Sequence, residues 1–285
     1  LGGWGIYNED VREFLDLIRD TIAPTFTSLL EGCGGLALRR IFVRGVEMGD
    51  ELHSRQDACG LIAVNEMMRM LFESNLPYEA RKACVDLMYG TVRYFHPLGM
   101  ASAMAVLESV RNVPYSTVVT AMEGNGVTYG IKLSGTGNRW YTAPSPYSDG
   151  GALVAANIDK NEILPWIGDS CMLEACGLGG FAAAASPAVM RAQQKTWQDG
   201  IDQSSSMSQI ALDTHPYYLL PGLDYQGSPV GIDMRKVITT GVVPVIHGGI
   251  IAKNLRRLGS GGTKVPMECF EKALEGFAEQ YGKER

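Results

Sequence analysis

The sequence predicts an α+β fold, in which an N-terminal helical subdomain precedes a mixed αβ subdomain with a β-hairpin and Gly-rich loops. Apolar residues recur at helical spacing through the first 110 residues, and the period changes to strict alternation shortly afterwards. Helices followed by mixed elements are typical of α+β proteins rather than of regular βαβ winding. We therefore expect a helical subdomain at 8–112 and an αβ subdomain at 113–285.

Apolar stripes predict the helices. Leu61, Val64, Met68 and Leu71 are spaced so that their side chains share one helix face, and such stripes usually pack in a core. Pro77 suits the first turn of the helix that follows, because its missing N–H would be unsatisfied there in any case. The last segment, 266–281, is predicted to be an amphipathic helix.

A change of period predicts the hairpin. From Val127 to Leu133 apolar and polar residues alternate, which is the pattern of a half-buried strand. Asn125-Gly126 precedes this run and is the dipeptide that a type I′ turn favours. We therefore expect a hairpin over 116–135 that turns at Asn125-Gly126.

Composition excludes several classes of function. The 285 residues include 31 acidic and 25 basic side chains, a net charge of −6, and no basic stripe that would bind nucleic acid. We find no signal peptide, and Gly and Pro break the apolar runs before the roughly 20 residues that a membrane span needs. The six cysteines fit no zinc pattern and are interpreted as reduced thiols. We expect a cytoplasmic protein. Because the chain starts with Leu1, we also expect that its numbering begins inside a longer chain.

The stretch "MGDELHSR", residues 48–55, is the strongest candidate for chemistry. If it is helical, Asp50 and His53 share a face, and an acid beside an imidazole orients it for proton transfer. Glu51 is a second candidate acid, and Arg55 offers a planar fork for a carboxylate or phosphate. The alternative is a solvated turn with a capping Asp and surface ion pairs.

Glycine-bearing loops supply further candidates for a small anionic ligand. Gly residues let the backbone approach a ligand, and nearby amides and cations can bind its charge. Each loop also has a purely structural interpretation, as a tight turn or a helix cap. The candidate binding residues are Asn125, Gly135, Gly137, Asn138, Arg139, Asp169, Asp233, Arg235, Lys236, His247, Gly248 and Gly249.

We expect neither a metal nor a cofactor. The sequence lacks HExxH and HxH spacing, so metal ligands would have to come from distant segments. A metal-dependent hydrolase or lyase that uses His53, His247 and either Asp50 or Asp169 remains an alternative.

Several motifs together resemble one family. They are "VEMGDELHSR", "VTAMEGNGVTYGIKLSGTGNRWYTAP", "IGDSCMLEACGLGGFAAAASPA", "GSPVGIDMRKVITTGVVPVIHGGIIAK" and "PMECFEKAL", in this order. The chain resembles the YlbE/YahG-like family, which includes the AllG-type subunit of oxamate carbamoyltransferase. The resemblance runs from about residue 10 to about residue 275. Many relatives read Asn-Thr-Gly where this chain has His247-Gly248-Gly249, which makes a shifted substrate an open alternative.

The resemblance implies an enzyme, or an enzyme subunit, that acts on a small ureido or amide carboxylate. The implied reaction moves the carbamoyl group of oxalurate to phosphate in allantoin breakdown, alongside an FdrA-like subunit in a homo- or hetero-oligomer. For such a transfer, His53 with Asp50 or Glu51 is the candidate for proton transfer. Arg55, Arg235 and Lys236 suit the anions, and Asn125 and the glycine-loop N–H groups suit an oxyanion. A non-catalytic scaffold that completes a partner's active site is the third alternative.

Overall fold

A computed structural model describes residues 7–90, 92–148 and 158–282. Before residue 118 these residues form helices and no strands. The helices are α1 (Glu9–Leu17), a π-helical turn (Ile18–Ile22), α2 (Ala23–Cys33), α3 (Leu38–Glu47), α4 (Asp57–Glu73), α5 (Tyr78–Gly90), a 3-10 turn (Val92–Phe95) and α6 (His96–Ser109).

Helix α4 forms where the apolar spacing predicts it, but its buried face is offset from the predicted stripe. Cys59, Ala63 and Met67 are buried, whereas Leu61 is 60% exposed. The reason is close packing on α3, where a Cβ at Gly45 would lie 2.1 Å from Sγ of Cys59. The apolar spacing therefore predicts the helix correctly, but it predicts only part of the helix face that is buried.

The predicted hairpin is confirmed, but its turn is not the type I′ turn that Asn125-Gly126 suggests, because only Gly126 has positive φ. Strands β1 (Val119–Asn125) and β2 (Thr128–Leu133) pair antiparallel, and Asn125 Oδ1 accepts the N–H groups of Val127 and Thr128 at 2.9 and 2.8 Å. Gly126 takes φ 84°, a conformation that glycine adopts without strain. With β3 (Tyr141–Pro144) and β4 (Ile167–Gly168) the hairpin forms a sheet of order β3-β2-β1-β4.

The remaining elements alternate between helices and two antiparallel pairs, β5 with β6 and β7 with β8. The predicted final helix corresponds to α11. The elements are α7 (Met172–Ala175), a 3-10 segment (Gly179–Ala185), α8 (Pro187–Ala192), α9 (Trp197–Ser208), β5 (Ala211–Leu220), β6 (Gln226–Ile232), α10 (Met234–Thr240), β7 (Val245–Ile251), β8 (Arg257–Lys264) and α11 (Met267–Tyr281).

One apolar core runs through both predicted subdomains. It joins Ile22 and Phe95 from the helical part to Ile131, Phe181 and Phe270 from the αβ part. The boundary at 112/113 stays a prediction. Over the described ranges, we find no helix with both the length and the apolar character of a membrane span.

Candidate functional site

The segment between α3 and α4 is an irregular turn and not a helix. Helix α3 ends at Glu47 and α4 begins at Asp57, and both Gly49 (φ 94°) and Leu52 (φ 69°) have positive φ. A residue other than glycine rarely adopts positive φ unless the surrounding structure enforces it. Asp50 and His53 therefore do not lie on a shared helix face.

The carboxylate of Glu51 holds this turn in shape. Its Oε1 accepts the N–H groups of His53 at 3.2 Å, of Ser54, and of Arg55 at 2.7 Å. Its Oε2 lies 3.0 Å from Nδ1 of His247, which ties the turn to β7. Burial alone would raise the pKa of Glu51, but the hydrogen bond from His247 and the nearby imidazole charges lower it below its usual value.

His53 lies between a carboxylate and a hydroxyl. Its Nδ1 is 2.8 and 2.9 Å from the two carboxylate oxygens of Glu174, and its Nε2 is 2.8 Å from Oγ of Ser170. The side chain is only 2% exposed. Burial favours the neutral ring, but the charge and hydrogen bond of Glu174 outweigh it and raise the pKa of His53. The edge of Trp166 packs against the ring, with centroids 5.9 Å apart.

The acid that pairs with the His53 ring is therefore Glu174, and not Asp50 or Glu51, the two predicted partners. Asp50 instead accepts a guanidinium N–H of Arg55 at 2.8 Å and the N–H of Cys59 at 2.7 Å. This places Asp50 as an anchor between the turn and α4. Its burial raises the pKa of the carboxyl to about 6.

Glu174 is fixed by several donors. Besides His53, its Oε1 accepts the N–H groups of His247 at 2.9 Å and Gly180 at 3.0 Å. Gly179 is required beside it, because a Cβ there would lie 2.0 Å from Oε1 of Glu174. The N–H of Gly179 donates to the carbonyl of Glu51 at 2.6 Å. The turn that carries Glu51 is thus joined to the segment that carries Glu174, through the Glu174 carboxylate on His53 and through this backbone bond.

His247 completes the cluster from β7. Its Nδ1 faces Glu51, and its Nε2 lies 2.9 Å from Nε2 of Gln203. A Cβ at the next residue, Gly248, would lie 2.4 Å from the Trp166 ring, so glycine allows β7 to approach the ring that packs on His53. His53, Glu174, Glu51 and His247, together with Ser170, are called the His–Glu cluster below.

An arginine-lined cleft of about 490 Å³ lies beside the cluster. Arg55, Arg93 and Arg257 line it, together with the acidic side chain of Asp57. Its floor includes Ser54 and Ser260, whose Oγ atoms are 2.7 Å apart. Burial lowers the pKa of Arg257 to about 10, so that this side chain stays charged at neutral pH. The charge of Arg257 also acts on His53, by lowering its pKa.

The loop 135–139 lies against the last helix and not in the His–Glu cluster. Arg139 pairs with Glu279 at 2.8 Å, and the carbonyl of Gly135 accepts from Gln280 and Tyr281. Gly137 and Asn138 belong to the same loop. β2 and α11 therefore hold this loop apart from His53 and His247.

The other predicted binding residues have local contacts. Asp233 accepts from Thr117 and caps α10, and Arg235 pairs with it at 3.1 Å. Lys236 donates to the carbonyl of Ala211. Asn125 and Asp169 line a separate open cleft of about 670 Å³, beside β4. A ligand role for these residues stays a prediction, as it does for Gly248 and Gly249 in β7.

Sequence reasoning missed Ser170, Glu174 and Arg257 as parts of this site. The sequence around them is that of a helix start, in which Ser170 can cap the helix and Glu174 lies within it. One signal could have found Ser170: it follows Gly168 and Asp169 at a change from strand to helix, where a Gly-x-Ser turn can expose a reactive hydroxyl. Within the described ranges, no three His, Cys, Asp or Glu side chains are arranged to hold a metal ion.

Comparisons with known proteins place the chain in a family. The sequence model described as oxamate carbamoyltransferase subunit AllG matches residues 3–170. The chain is 31% identical to AllG of Escherichia coli K12 over 283 residues, which are 98% of this chain and 67% of AllG. It is 30% identical over 280 residues to YahG of the same strain, an uncharacterised protein, covering 98% of this chain and 59% of YahG.

A solved structure has the same fold. The crystal structure of a conserved protein of unknown function from Enterococcus faecalis V583 superposes with a TM-score of 0.89 at 31% identity. The match covers 95% of this chain and 65% of that protein. The chain thus spans 59% to 67% of the length of the three proteins compared. The chain belongs to the family of the oxamate carbamoyltransferase subunit AllG.

Proposed function

We propose that the chain is an AllG-type subunit of an oxamate carbamoyltransferase-related enzyme and that it contributes the proton-transfer site. Family membership supports the enzyme class. One observation carries the assignment of the site: a buried imidazole lies between the carboxylate of Glu174 and the hydroxyl of Ser170, beside an arginine-lined cleft. A surface turn or a helix cap has no need for such an arrangement.

The His–Glu cluster suits carbamoyl transfer because that reaction moves protons at its reacting centre. When the bond between the carbamoyl carbon and the donor nitrogen breaks, the nitrogen needs a proton. His53 can supply this proton, and Glu174 stabilises the protonated imidazole until it gives the proton to the nitrogen. Because Glu174 is itself held by two N–H groups, the imidazole is kept in one orientation during turnover.

The arginine-lined cleft suits the anions of the proposed reaction. A donor of the oxalurate type carries a carboxylate, and the acceptor is phosphate. Guanidinium groups bind both through paired, charge-assisted hydrogen bonds. Arg257 links the cleft to the proton-transfer site, because it is the arginine whose charge acts on His53.

A protein partner belongs to the proposal because AllG is named as a subunit. The chain spans 67% of the length of AllG. We propose an FdrA-like subunit as the partner and a small ureido or amide carboxylate as the substrate.

The proposed function is tested by assaying the chain alone and with an FdrA-like subunit. Oxalurate and phosphate are the substrates, and carbamoyl phosphate is the product that is measured. Formation of carbamoyl phosphate that depends on the chain supports the proposal. Full activity of the partner alone would make the chain dispensable, and activity that appears only after a divalent metal is added would favour a metal-dependent enzyme.

Arg257→Ala is expected to weaken the binding of inorganic phosphate more than it lowers the melting temperature. Loss of a charge-assisted contact costs about 1.5–3 kcal/mol of binding free energy, which is about tenfold or more in affinity. Arg55 is a less selective choice, because its loss also removes the partner of buried Asp50. Isothermal titration calorimetry and thermal melts measure the two effects.

Arg139→Ala is the matched control for this experiment. Arg139 is an exposed arginine that pairs with Glu279 outside the cleft. Its replacement should leave phosphate binding unchanged. Equal phosphate affinity in wild type and Arg257→Ala, with a lowered melting temperature only in the latter, would make Arg257 a structural residue.

A further inference from the structure

Ser170 lies where the chain passes from a strand to a helix. Strand β4 ends at Gly168, which has φ 126°, and α7 begins at Met172. The Oγ of Ser170 is 2.8 Å from Nε2 of His53, and Nδ1 of the same ring is 2.8 Å from Glu174. Carboxylate, imidazole and hydroxyl thus follow one another in the order that turns a serine into a nucleophile.

We propose that Ser170 is the nucleophile of the transfer and carries the carbamoyl group as a covalent intermediate, with His53 as its base and Glu174 as the positioning residue. The inference rests on the proposed function for the identity of the group that is transferred. The reactivity of the hydroxyl itself rests only on the geometry of the three side chains.

The surroundings of Ser170 differ from those of serines that serve the fold. The hydroxyls of buried Ser134 and Ser228 donate to backbone carbonyls, of Val110 and Gly177, which cannot take up a proton at neutral pH. The hydroxyl of Ser170 faces an imidazole nitrogen instead, and an imidazole can take up that proton.

Ser170 is also the least buried member of the cluster. Its residue is half-buried, whereas Glu51, His53, Glu174 and His247 are buried. The two residues before it, Gly168 and Asp169, line the open cleft of about 670 Å³. Ser170 adjoins this cleft through Asp169, and its base His53 adjoins the arginine-lined cleft through Ser54, so the reactive pair is placed between the two clefts.

The proposed step balances as follows. Oγ of Ser170 forms a bond to the carbamoyl carbon of the donor while Nε2 of His53 takes the hydroxyl proton. The bond from that carbon to the donor's amide nitrogen then breaks, and His53 gives the proton to the leaving nitrogen. An oxygen of hydrogen phosphate next attacks the carbamoyl carbon, His53 takes the phosphate proton, and the proton returns to Oγ as the ester bond breaks.

A fluorophosphonate reagent tests the nucleophile without any knowledge of the natural substrate. It forms a phosphorus–oxygen bond to an activated serine and releases fluoride. In the full chain, with and without an FdrA-like subunit, peptide mass spectrometry should find the adduct on Ser170. Ser170→Ala should remain unlabelled, whereas Ser116→Ala, which alters another half-buried serine that faces no imidazole, should be labelled like wild type.

Kinetics test the covalent intermediate. Ser170→Ala should lower carbamoyl transfer by about 10²-fold or more and abolish the rapid first release of the amide product that a covalent intermediate produces. A folded Ser170→Ala protein with near wild-type transfer, or wild-type protein without an adduct on Ser170, would overturn the inference. Labelling of Ser170 in an enzyme that transfers no carbamoyl group would instead overturn the proposed function and leave the nucleophile standing.

Discussion

His53→Ala is expected to lower the rate of carbamoyl transfer by about 10²–10⁴-fold, the range typical of a lost general acid or base. The imidazole is the group through which Glu174 and Ser170 are connected, with Nδ1 2.8 Å from the carboxylate and Nε2 2.8 Å from the hydroxyl. The measurement is the steady-state rate of the complete enzyme at saturating substrate, with circular dichroism to show that the variant is folded.

His215→Ala is the matched control. His215 accepts the N–H of Tyr218 at 3.0 Å and stacks on its ring, away from the cluster. Its loss should leave turnover near the wild-type value. If folded His53→Ala retained the wild-type rate, the segment "MGDELHSR" would be a structural turn and the cluster would have no part in proton transfer.

Glu174→Ala is expected to lower the free energy of unfolding by about 3–5 kcal/mol, the cost of removing one partner from a buried ion pair. The change leaves three donors without their acceptor: the N–H groups of His247 and Gly180, and Nδ1 of His53. Urea unfolding at neutral pH measures the difference, with the midpoint and slope fitted together.

Glu268→Ala is the control, because it removes a carboxylate that is exposed and not buried. Glu268 forms an exposed pair with Lys272, with a side chain that is 49% exposed, and such pairs contribute little to stability. Its replacement should leave the unfolding midpoint almost unchanged. Comparable destabilisation in the two variants would contradict the view that Glu174 holds three segments together.

The parts of the fold that depend on local sequence could be predicted. Asn125-Gly126 supplies both the positive φ and the side-chain acceptor of the hairpin turn, so the turn is encoded within four residues. The helical character of α4 follows from its spacing, but its buried face depends on what packs against it. The contact between Cys59 and Gly45 is of this kind, because it joins two helices.

The site could be predicted only in part, for the same reason. Glu51, His53 and Arg55 stand together in the sequence, and the structure keeps them together in the turn. Glu174 is 121 residues from His53, and His247 is 196 residues from Glu51, so neither pairing leaves a local pattern. Residues 50–55 do not form a helix, because the Glu51 carboxylate accepts three backbone N–H groups and holds the segment as a turn.

The pH dependence of kcat/KM, compared between wild type and Glu174→Gln, tests the central claim most directly. His53 acts first as a base, so the rate should rise with pH through its pKa, which Glu174 raises above the usual value of about 6.5. Glutamine keeps the burial, which lowers the pKa, and removes the larger of the two carboxylate charges that raise it, while Glu51 remains. The account predicts that the rising limb of the profile moves to lower pH in Glu174→Gln, and not in Glu268→Gln. A limb that stays at the same pH in active Glu174→Gln would contradict the claim that His53, tuned by Glu174, transfers the proton.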